Sequence, residues 1–448
     1  MTYDEAIAFW FGRINYEVRS ARPGDLKLER MRALLRRLGQ PHDQLRLVHV
    51  TGTKGKGSTS AMLAAILQAA GYRVGLFTSP HLTHVEERMQ VNGVPISRAE
   101  LTALMEEVAP AVRAMEAETD FPSPTFFEIG TALGFLHFLR RRCDIAVIEV
   151  GLGGRFDSTN VCRPLVSVIT NVGFDHTAQL GNTLEAIAYQ KGGIIKPRVP
   201  VVCGVSQEGP REVIRQIAAS MNAPLIWVPP ALASPTLRPQ EGHDPLSRPG
   251  LPHGEQVADI PRGLTTNLLG QHQVHNAALA VAAIQCLRDT GMPITDDAVR
   301  RGLNQVKWPA RIEHVADRPT IILDTAHNVP SAEALVGTLR ECFPAAAAKR
   351  VVFAVSSDKP VAEILRVLAG YFDHFHFTKY ASNPRSVPPD KLATFLAEVA
   401  PGKPCAVHPT AIEAWMAARA SVANTDLVCI TGSVFLAGEL RPHLVAPA

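Results

Sequence analysis

The feature of this chain that most restricts its fold is a glycine-rich turn, Thr51-Gly-Thr-Lys-Gly-Lys-Gly-Ser58. It joins an apolar stretch, Leu45–Val50, to an amphipathic one, Thr59–Ala70. The periods of their apolar residues predict a strand before the turn and a helix after it. The backbone N–H groups of such a turn point inward at the positive end of the helix, and Lys56 can reach a terminal phosphate. We therefore predict a phosphate-binding loop.

The turn departs in two places from the common pattern G-x-x-x-x-G-K-[ST]. Val50 stands where the first glycine is expected, and Gly57 separates Lys56 from the hydroxyl of Ser58. In the common pattern the hydroxyl directly after the lysine binds magnesium. Two arrangements remain open: Ser58 acts from one position further on, or another loop holds the metal.

Length and composition restrict the class of protein. A chain of 448 residues exceeds one typical domain, so we expect two. A net charge of +3 argues against a nucleic-acid or membrane surface as a partner. The seven scattered cysteines lack zinc spacing and indicate reduced thiols. Since neither a signal pattern nor a membrane-length apolar run is visible, we predict a cytoplasmic protein.

Polar residues follow several predicted strands. Ser79 lies in the loop Thr78-Ser-Pro-His-Leu82, and Glu149 ends the β-branched run Asp144–Val150. Because parallel strands gather their carboxyl ends at one edge of a sheet, Ser79 can supply the missing hydroxyl and Glu149 a magnesium ligand. His176 is either a metal ligand, a general base or a hydrogen-bonded bystander. The polar, glycine-rich loop 151–160 ends at the same edge.

Strands and helices alternate to residue 228 and restart beyond residue 310, which predicts two α/β domains with largely parallel sheets, 1–300 and 301–448. The proline-rich stretch 229–262 breaks the pattern as an irregular excursion or a mobile loop. Lys191 and Lys196 would ordinarily be solvated. His272, His275 and Asn276 open a helix over 277–287, where capping and ligand hydrogen bonds are favoured over a zinc site.

The sequence resembles the Mur ligase superfamily and, within it, the folylpolyglutamate synthase/dihydrofolate synthase family. The matching stretches cover nearly the whole chain in family order: GTKGKGS, FTSPHL, TFFE, IEVGLGGRFDSTN, GFDHTAQLG, KGGIIKP, GQHQVHNAALA, ILDTAHN and ITGS. Lys54 stands where the family usually has asparagine. The resemblance implies an α/β fold with a P-loop ATPase domain, a smaller C-terminal Rossmann-like domain and an active site in the cleft between them.

The resemblance also implies the reaction. ATP phosphorylates a substrate carboxylate, and the amino group of L-glutamate attacks the acyl phosphate to form an amide. Positioning and charge neutralisation then dominate catalysis. The implied nucleotide contacts are Gly55, Lys56, Gly57, Ser58, Asn276, Arg311 and Asp324. The implied ligands of two magnesium ions are Ser79, Glu149, His176 and a carbamylated Lys191. The implied pterin contacts are Pro23, Gly24, Asp25, Thr125, Phe126, Phe127, Glu128, Phe156, Asp157 and Ser158, with His327 and Ser433 near glutamate. Lys56, Lys191 and His327 are the implied catalytic residues.

Two other functions fit parts of the sequence. A peptidoglycan Mur ligase shares the P-loop, the carbamylated lysine and the DxAHN loop, but GKGS and the TFFE and GLGGRFDSTN loops argue against it. A nucleotide-dependent switch would not need a second domain carrying DTAHN, and no guanine-reading N-K-x-D stretch is present. The choice between dihydropteroate and folate as acceptor stays open, with Arg155 and its neighbours only hinting at both. The resemblance implies a monomer with small-molecule partners.

Overall fold

The structure, a computed structural model, describes residues 1–17, 25, 27–118, 123–229, 255–260 and 265–445. The chain divides into two compact units. The first comprises Met1–His81, Glu86–Asn267 and Gln273–Val306, and the second Leu82–Val85, Leu268–His272 and Lys307–Ala448. No helix in the described ranges is long and apolar enough to span a membrane.

The first unit is built on a sheet that has nine strands among its described residues, ordered β4-β3-β2-β5-β1-β6-β7-β8-β9. Strands from β2 to β9 in this order run parallel, while β3 and β4 are antiparallel. The central strands β1 and β5 are buried throughout, as their apolar runs predict. The strands are β1 Leu47–Thr51, β2 Val74–Phe77, β3 Met89–Val91, β4 Val94–Pro95, β5 Ile145–Glu149, β6 Val166–Ile169, β7 Val201–Cys203, β8 Leu225–Trp227 and β9 Glu255–Val257.

Helices flank this sheet. α4 and α5 begin at capping boxes, Ser97 with Glu100 and Thr125 with Glu128, which satisfy the first backbone N–H groups. The helices are α1 Tyr3–Phe11, α2 Leu28–Arg37, α3 Lys56–Ala69, α4 Arg98–Ala117, α5 Phe126–Arg140, α6 Thr177–Leu180, α7 Leu184–Gly192, α8 Glu208–Ser220, α9 Gln271–Asp289 and α10 Asp296–Gln305, with 3-10 turns at Pro41–Gln44, Val85–Arg88 and Ser158–Val161. α9 begins six residues before the predicted 277–287, so His272, His275 and Asn276 lie inside it.

The second unit is also α/β. Its described strands are ordered β10-β11-β15-β12-β13-β14, all parallel except β10. Apolar side chains fill both faces of this sheet, including Phe353 on one and Ile430 on the other. The strands are β10 Glu313–Asp317, β11 Thr320–Leu323, β12 Lys349–Phe353, β13 His374–Phe377, β14 Cys405–Val407 and β15 Leu427–Thr431. The helices are α11 Val329–Cys342, α12 Val361–Ala369, α13 Pro389–Val399, α14 Ala411–Ala420 and α15 Val434–Leu440, with a 3-10 turn at Arg441–His443.

The predicted α/β fold with parallel-rich sheets is confirmed. Sequence reasoning missed the β3–β4 hairpin, β10, α10 and α15, which are short or lie at the predicted domain junction. All seven cysteines are free thiols; four are buried, Cys143 is partly buried, and Cys342 and Cys405 are exposed.

Candidate active site

The glycine-rich turn runs from β1 into α3. Gly55 adopts a left-handed conformation with φ +80° and caps the helix, which begins at Lys56. A glycine is required there because a side chain at this φ is strained. The Lys56 Nζ donates to the Gly52 carbonyl oxygen at 3.1 Å, so the ammonium lies over the turn itself. Gly57 and Ser58 form the first turn of α3, whose N-terminal N–H groups suit an anion.

A neighbouring loop supports this turn from residues that sequence reasoning did not select. The Asn171 Oδ1 accepts from the backbone N–H groups of Thr53 at 3.1 Å and Lys54 at 2.8 Å. The Lys54 Nζ pairs with the Asp175 carboxylate at 2.9 Å. Lys54, the departure from the family pattern, therefore pairs with the loop after β6. The position of Asn171 and Asp175 directly after a buried strand was the available signal.

Asn276 lies directly against the P-loop, where the sequence placed a nucleotide contact. It is buried, and its Nδ2 donates to the Gln273 Oε1 at 3.0 Å. A Cβ added to Gly55 would stand 2.3 Å from the Asn276 Oδ1. Asn276 of α9 therefore packs closely against Gly55 of the P-loop.

The carboxyl ends of β2 and β5 bring Ser79 and Glu149 together. Glu149 is 4% exposed, and its Oε2 accepts from the Ser79 backbone N–H at 3.2 Å. A solvent-facing strand end is thus excluded for this glutamate. No cluster of three His, Cys, Asp or Glu side chains capable of holding a metal occurs in the described ranges. Magnesium does not require one, since it keeps several waters and binds one or two carboxylates together with phosphate oxygens.

Lys191 is not a solvated surface charge. It lies in the last turn of α7 and is 3% exposed. Burial lowers the pKa of Lys191 well below its usual value, and the nearby Lys56 charge lowers it further while Asp175 opposes the shift. Lys196 is partly buried too, and burial lowers its pKa. His176, by contrast, has a side chain that is 52% exposed and lies beside Asp175, 3.8 Å from its Oδ1, so its metal role stays a prediction.

The loop after β5 carries Phe156, Asp157 and Ser158. The Phe156 ring is exposed, whereas the other two side chains are buried. Asp157 caps the following 3-10 turn, and its Oδ2 accepts from the Leu152 N–H at 2.9 Å. Burial raises the pKa of this carboxyl group. Of these three residues, only Phe156 has a side chain exposed enough to contact the substrate that receives glutamate.

The other residues predicted to contact the pterin take part in packing and hydrogen bonds within the protein. Phe126 is 1% exposed and stacks on Trp10 with ring centroids 5.0 Å apart. The Glu128 Oε2 accepts from the Arg30 Nε at 2.6 Å and from its helix cap, Thr125. Phe127 lies edge-on to Phe77, and Asp25 accepts a hydrogen bond from Arg30 through its backbone. Pro23 and Gly24 lie outside the described residues. Pterin contact by this whole group stays a prediction.

The second unit gathers Arg311, Asp324 and His327 around one loop. The buried Asp324 carboxylate accepts from Ile312 N–H at 3.1 Å, Ala326 N–H at 2.6 Å and Thr431 Oγ1 at 3.1 Å. The Arg311 guanidinium donates to the hydroxyl of Thr325. The His327 Nδ1 lies 2.8 Å from the Thr325 carbonyl oxygen.

Ser433 is the N-cap of α15. It is buried, and its Oγ accepts from the Phe435 N–H at 3.1 Å. Ser433 follows β15 as Asp324 follows β11, and these strands are parallel neighbours. The loops that carry the two residues therefore leave the same edge of the second sheet.

Comparison with known proteins assigns two parts of this chain to ligase domains. Residues 50–200 match the Mur ligase middle domain, and residues 310–434 match the Mur ligase, glutamate ligase domain. A dihydrofolate synthase/folylpolyglutamate synthase of Bacillus subtilis is 37% identical, over 99% of both chains. A folylpolyglutamate synthase of Lacticaseibacillus casei is 33% identical, also over 99% of both.

Solved structures give the same result. The folylpolyglutamate synthase of Mycobacterium tuberculosis, complexed with ADP and AMPPCP, superposes with a TM-score of 0.81 at 32% identity, covering 94% of this chain and 95% of that one. The Escherichia coli protein FolC, in complex with DHPP and ADP, gives a TM-score of 0.79 at 28% identity over 98% and 97%. Full-length matches of this kind decide the family, so the chain belongs to the folylpolyglutamate synthase/dihydrofolate synthase family of Mur ligases.

Proposed function

We propose that this protein is an ATP-dependent ligase that adds L-glutamate to the carboxylate of a folate or of dihydropteroate. The observation that carries the proposal is the first unit's combination of a P-loop, a buried Glu149 beside Ser79 and a buried Lys191 near the charge of Lys56. The full-length likeness to enzymes named for this activity supports the same substrates. A peptidoglycan ligase has only the shared superfamily domains in its favour.

The chemistry explains why ATP is consumed. A carboxylate is a poor electrophile until one of its oxygens becomes a leaving group. Transfer of the γ-phosphoryl group gives ADP and an acyl phosphate; the glutamate nitrogen then forms the amide bond as inorganic phosphate leaves and the amine loses a proton. Gly55 to Ser58 hold the nucleotide phosphates in this proposal, and the Lys56 ammonium neutralises the developing charge.

The residues present fit a magnesium site. The Glu149 carboxylate is an oxygen donor at the sheet edge beside the P-loop, and it accepts a hydrogen bond from the backbone of Ser79, the residue proposed to supply the hydroxyl ligand. Bound there, magnesium would neutralise charge on the phosphate oxygens of ATP. Of the remaining proposed ligands, His176 has the accessible side chain and Lys191 the buried one.

The environment of Lys191 supports the proposal that this lysine is carbamylated. Only a neutral amine attacks carbon dioxide, and burial favours the neutral form. The nitrogen–carbon bond forms, a proton leaves, and the product is an anion with oxygen donors. The resulting anion is attracted to the Lys56 ammonium, and its oxygens would serve as ligands of a second magnesium ion.

The remaining roles are proposed from the family resemblance. It assigns nucleotide contacts to Asn276 in the first unit and to Arg311 and Asp324 in the second, and it assigns His327 and Ser433 to the incoming glutamate. We propose that the enzyme acts as a monomer in the cytoplasm with small molecules as its partners.

Phosphate release is the decisive assay. The enzyme with ATP, magnesium and bicarbonate would be given L-glutamate and either dihydropteroate or tetrahydrofolate, with products identified by mass. We expect glutamate-dependent release with at least one acceptor; activity with both defines a bifunctional enzyme. Release with neither acceptor, but with a UDP-linked muramyl substrate, would refute the proposal. ATP turnover that needs no glutamate would indicate a switch.

A further inference from the structure

The loop between β5 and β6 holds the end of α7 that carries Lys191. The Arg155 backbone N–H donates to the Gln190 carbonyl oxygen at 2.7 Å. The Asn160 Nδ2 donates to the Gly193 carbonyl oxygen at 3.0 Å. Gln190 and Gly193 flank Lys191 in sequence, so the loop is hydrogen-bonded to the chain on both sides of this residue.

Asn160 also closes its own loop. Its Nδ2 donates to the Arg155 carbonyl oxygen at 3.0 Å, and its backbone carbonyl oxygen accepts from the Lys196 Nζ at 2.8 Å. The side chain is 4% exposed. One buried residue therefore connects Arg155 of its own loop with the segment that follows Lys191.

The two segments pack backbone against backbone. A Cβ added to Gly193 would stand 2.4 Å from the Arg155 Cα, and one added to Gly154 would stand 3.0 Å from the Gln190 carbonyl oxygen. Real side chains do not tolerate the first of these distances. The glycines of GLGGR and KGG therefore allow the two backbones to come close enough for their polar groups to form hydrogen bonds.

We propose that Asn160 is a positioning residue that couples the acceptor loop to Lys191. The same loop carries Phe156, Asp157 and Ser158. These hydrogen bonds therefore link the proposed pterin contacts to the proposed magnesium ligand. Asn160 itself touches neither substrate nor metal in this proposal; it acts by holding the α7 terminus. The inference rests on the proposed function for its catalytic consequence, while the restraint of the α7 terminus by Asn160 is tested independently.

The first test is hydrogen–deuterium exchange of the substrate-free enzyme. Asn160→Ala and the near-isosteric Asn160→Asp both remove the two donors. We expect the amides of residues 189–196 to exchange at least about 10-fold faster in both variants, because removal of the amide frees the chain around Lys191. Asn182→Ala, at an exposed position just before α7, is the matched control and should exchange as wild type does.

The second test separates positioning from general damage. We expect kcat to fall about 10- to 100-fold and the magnesium requirement to rise similarly, as when a residue supporting a metal ligand is lost. The KM for ATP should stay near that of wild type because the P-loop is untouched. Unchanged exchange at 189–196 in both variants refutes the inference, as does unchanged kcat in variants that do exchange faster. A wild-type enzyme without glutamate-dependent turnover would refute the proposed function instead. The exchange result alone would then show whether Asn160 holds the α7 terminus.

Discussion

Acid should destabilise the second unit through His376, a buried imidazole on β13. The side chain is 4% exposed, and its Nδ1 lies 3.1 Å from the His408 Nε2, while its Nε2 is buried without a hydrogen-bond partner in the described structure. Burial lowers the pKa of His376 to about 4, with His374, His408 and Arg350 adding to the shift. The unfolded chain therefore binds a proton at a pH where the folded chain does not.

The magnitude follows from linkage. An unfolded histidine has a pKa of about 6.5, so between pH 6.5 and about 4 the unfolded state gains protonation free energy that the folded state lacks. Relative to pH 7.5, the loss of unfolding free energy at pH 5 is about 2 kcal/mol from His376 alone. Stability from this group thus decreases as pH falls through the window and is complete above the unfolded pKa.

The assay is urea unfolding at pH 7.5 and pH 5, followed by tryptophan fluorescence, to which Trp308 and Trp415 of the same unit contribute. In His376→Gln the side chain cannot titrate, so its loss between the two pH values should be smaller than that of wild type by about 2 kcal/mol. His443→Gln, at an exposed position of this unit, should show the full wild-type loss. If His376→Gln also shows the full loss, the reasoning from burial is refuted.

Three further outcomes are expected. Lys191→Met should lower glutamate-dependent kcat more than about 100-fold without lowering the urea midpoint in bicarbonate-free buffer, because it removes a buried amine; near-normal turnover would contradict this. Glu149→Gln should raise the magnesium concentration needed for half-maximal phosphate release by about 10-fold or more, since an amide replaces the carboxylate. An unchanged magnesium titration would argue against Glu149 as a ligand. Gly55→Ala should cost about 1–2 kcal/mol for its left-handed φ alone and abolish measurable ATP binding by calorimetry, because its Cβ would meet Asn276; intact binding would show that the P-loop can relax.

Local patterns explain why much of the fold was predictable. The β-branched run ending at Glu149 and the turn around Gly55 are recognisable from a few neighbouring residues, because strand period and turn chemistry act over short distances. The β3–β4 hairpin escaped since Met89–Val91 and Val94–Pro95 are too short to show a period. α10 escaped because Asp296–Gln305 falls at the predicted domain junction, although Thr295 caps it.

The site was predictable as a set of residue types at strand ends, but the state of each residue was not. A lysine in K-G-G-I-I-K reads as a surface charge, yet Lys191 is buried. Phe126 and Glu128 belong to a stretch that marks the family, and the structure gives them a stacking partner and an ion pair in Trp10 and Arg30. Such partners lie about a hundred positions away along the chain.

The sequence by itself determined the phosphate loop, the alternation of strands and helices, and the family, because each is encoded in contiguous residues. Only the tertiary structure decided that Lys54 pairs with Asp175, that Lys191 is removed from water, and that Asn160 holds the segment around it. Burial and hydrogen bonding between distant segments depend on how elements pack. Packing sets the solvation of a charge, and solvation sets its pKa and its chemistry.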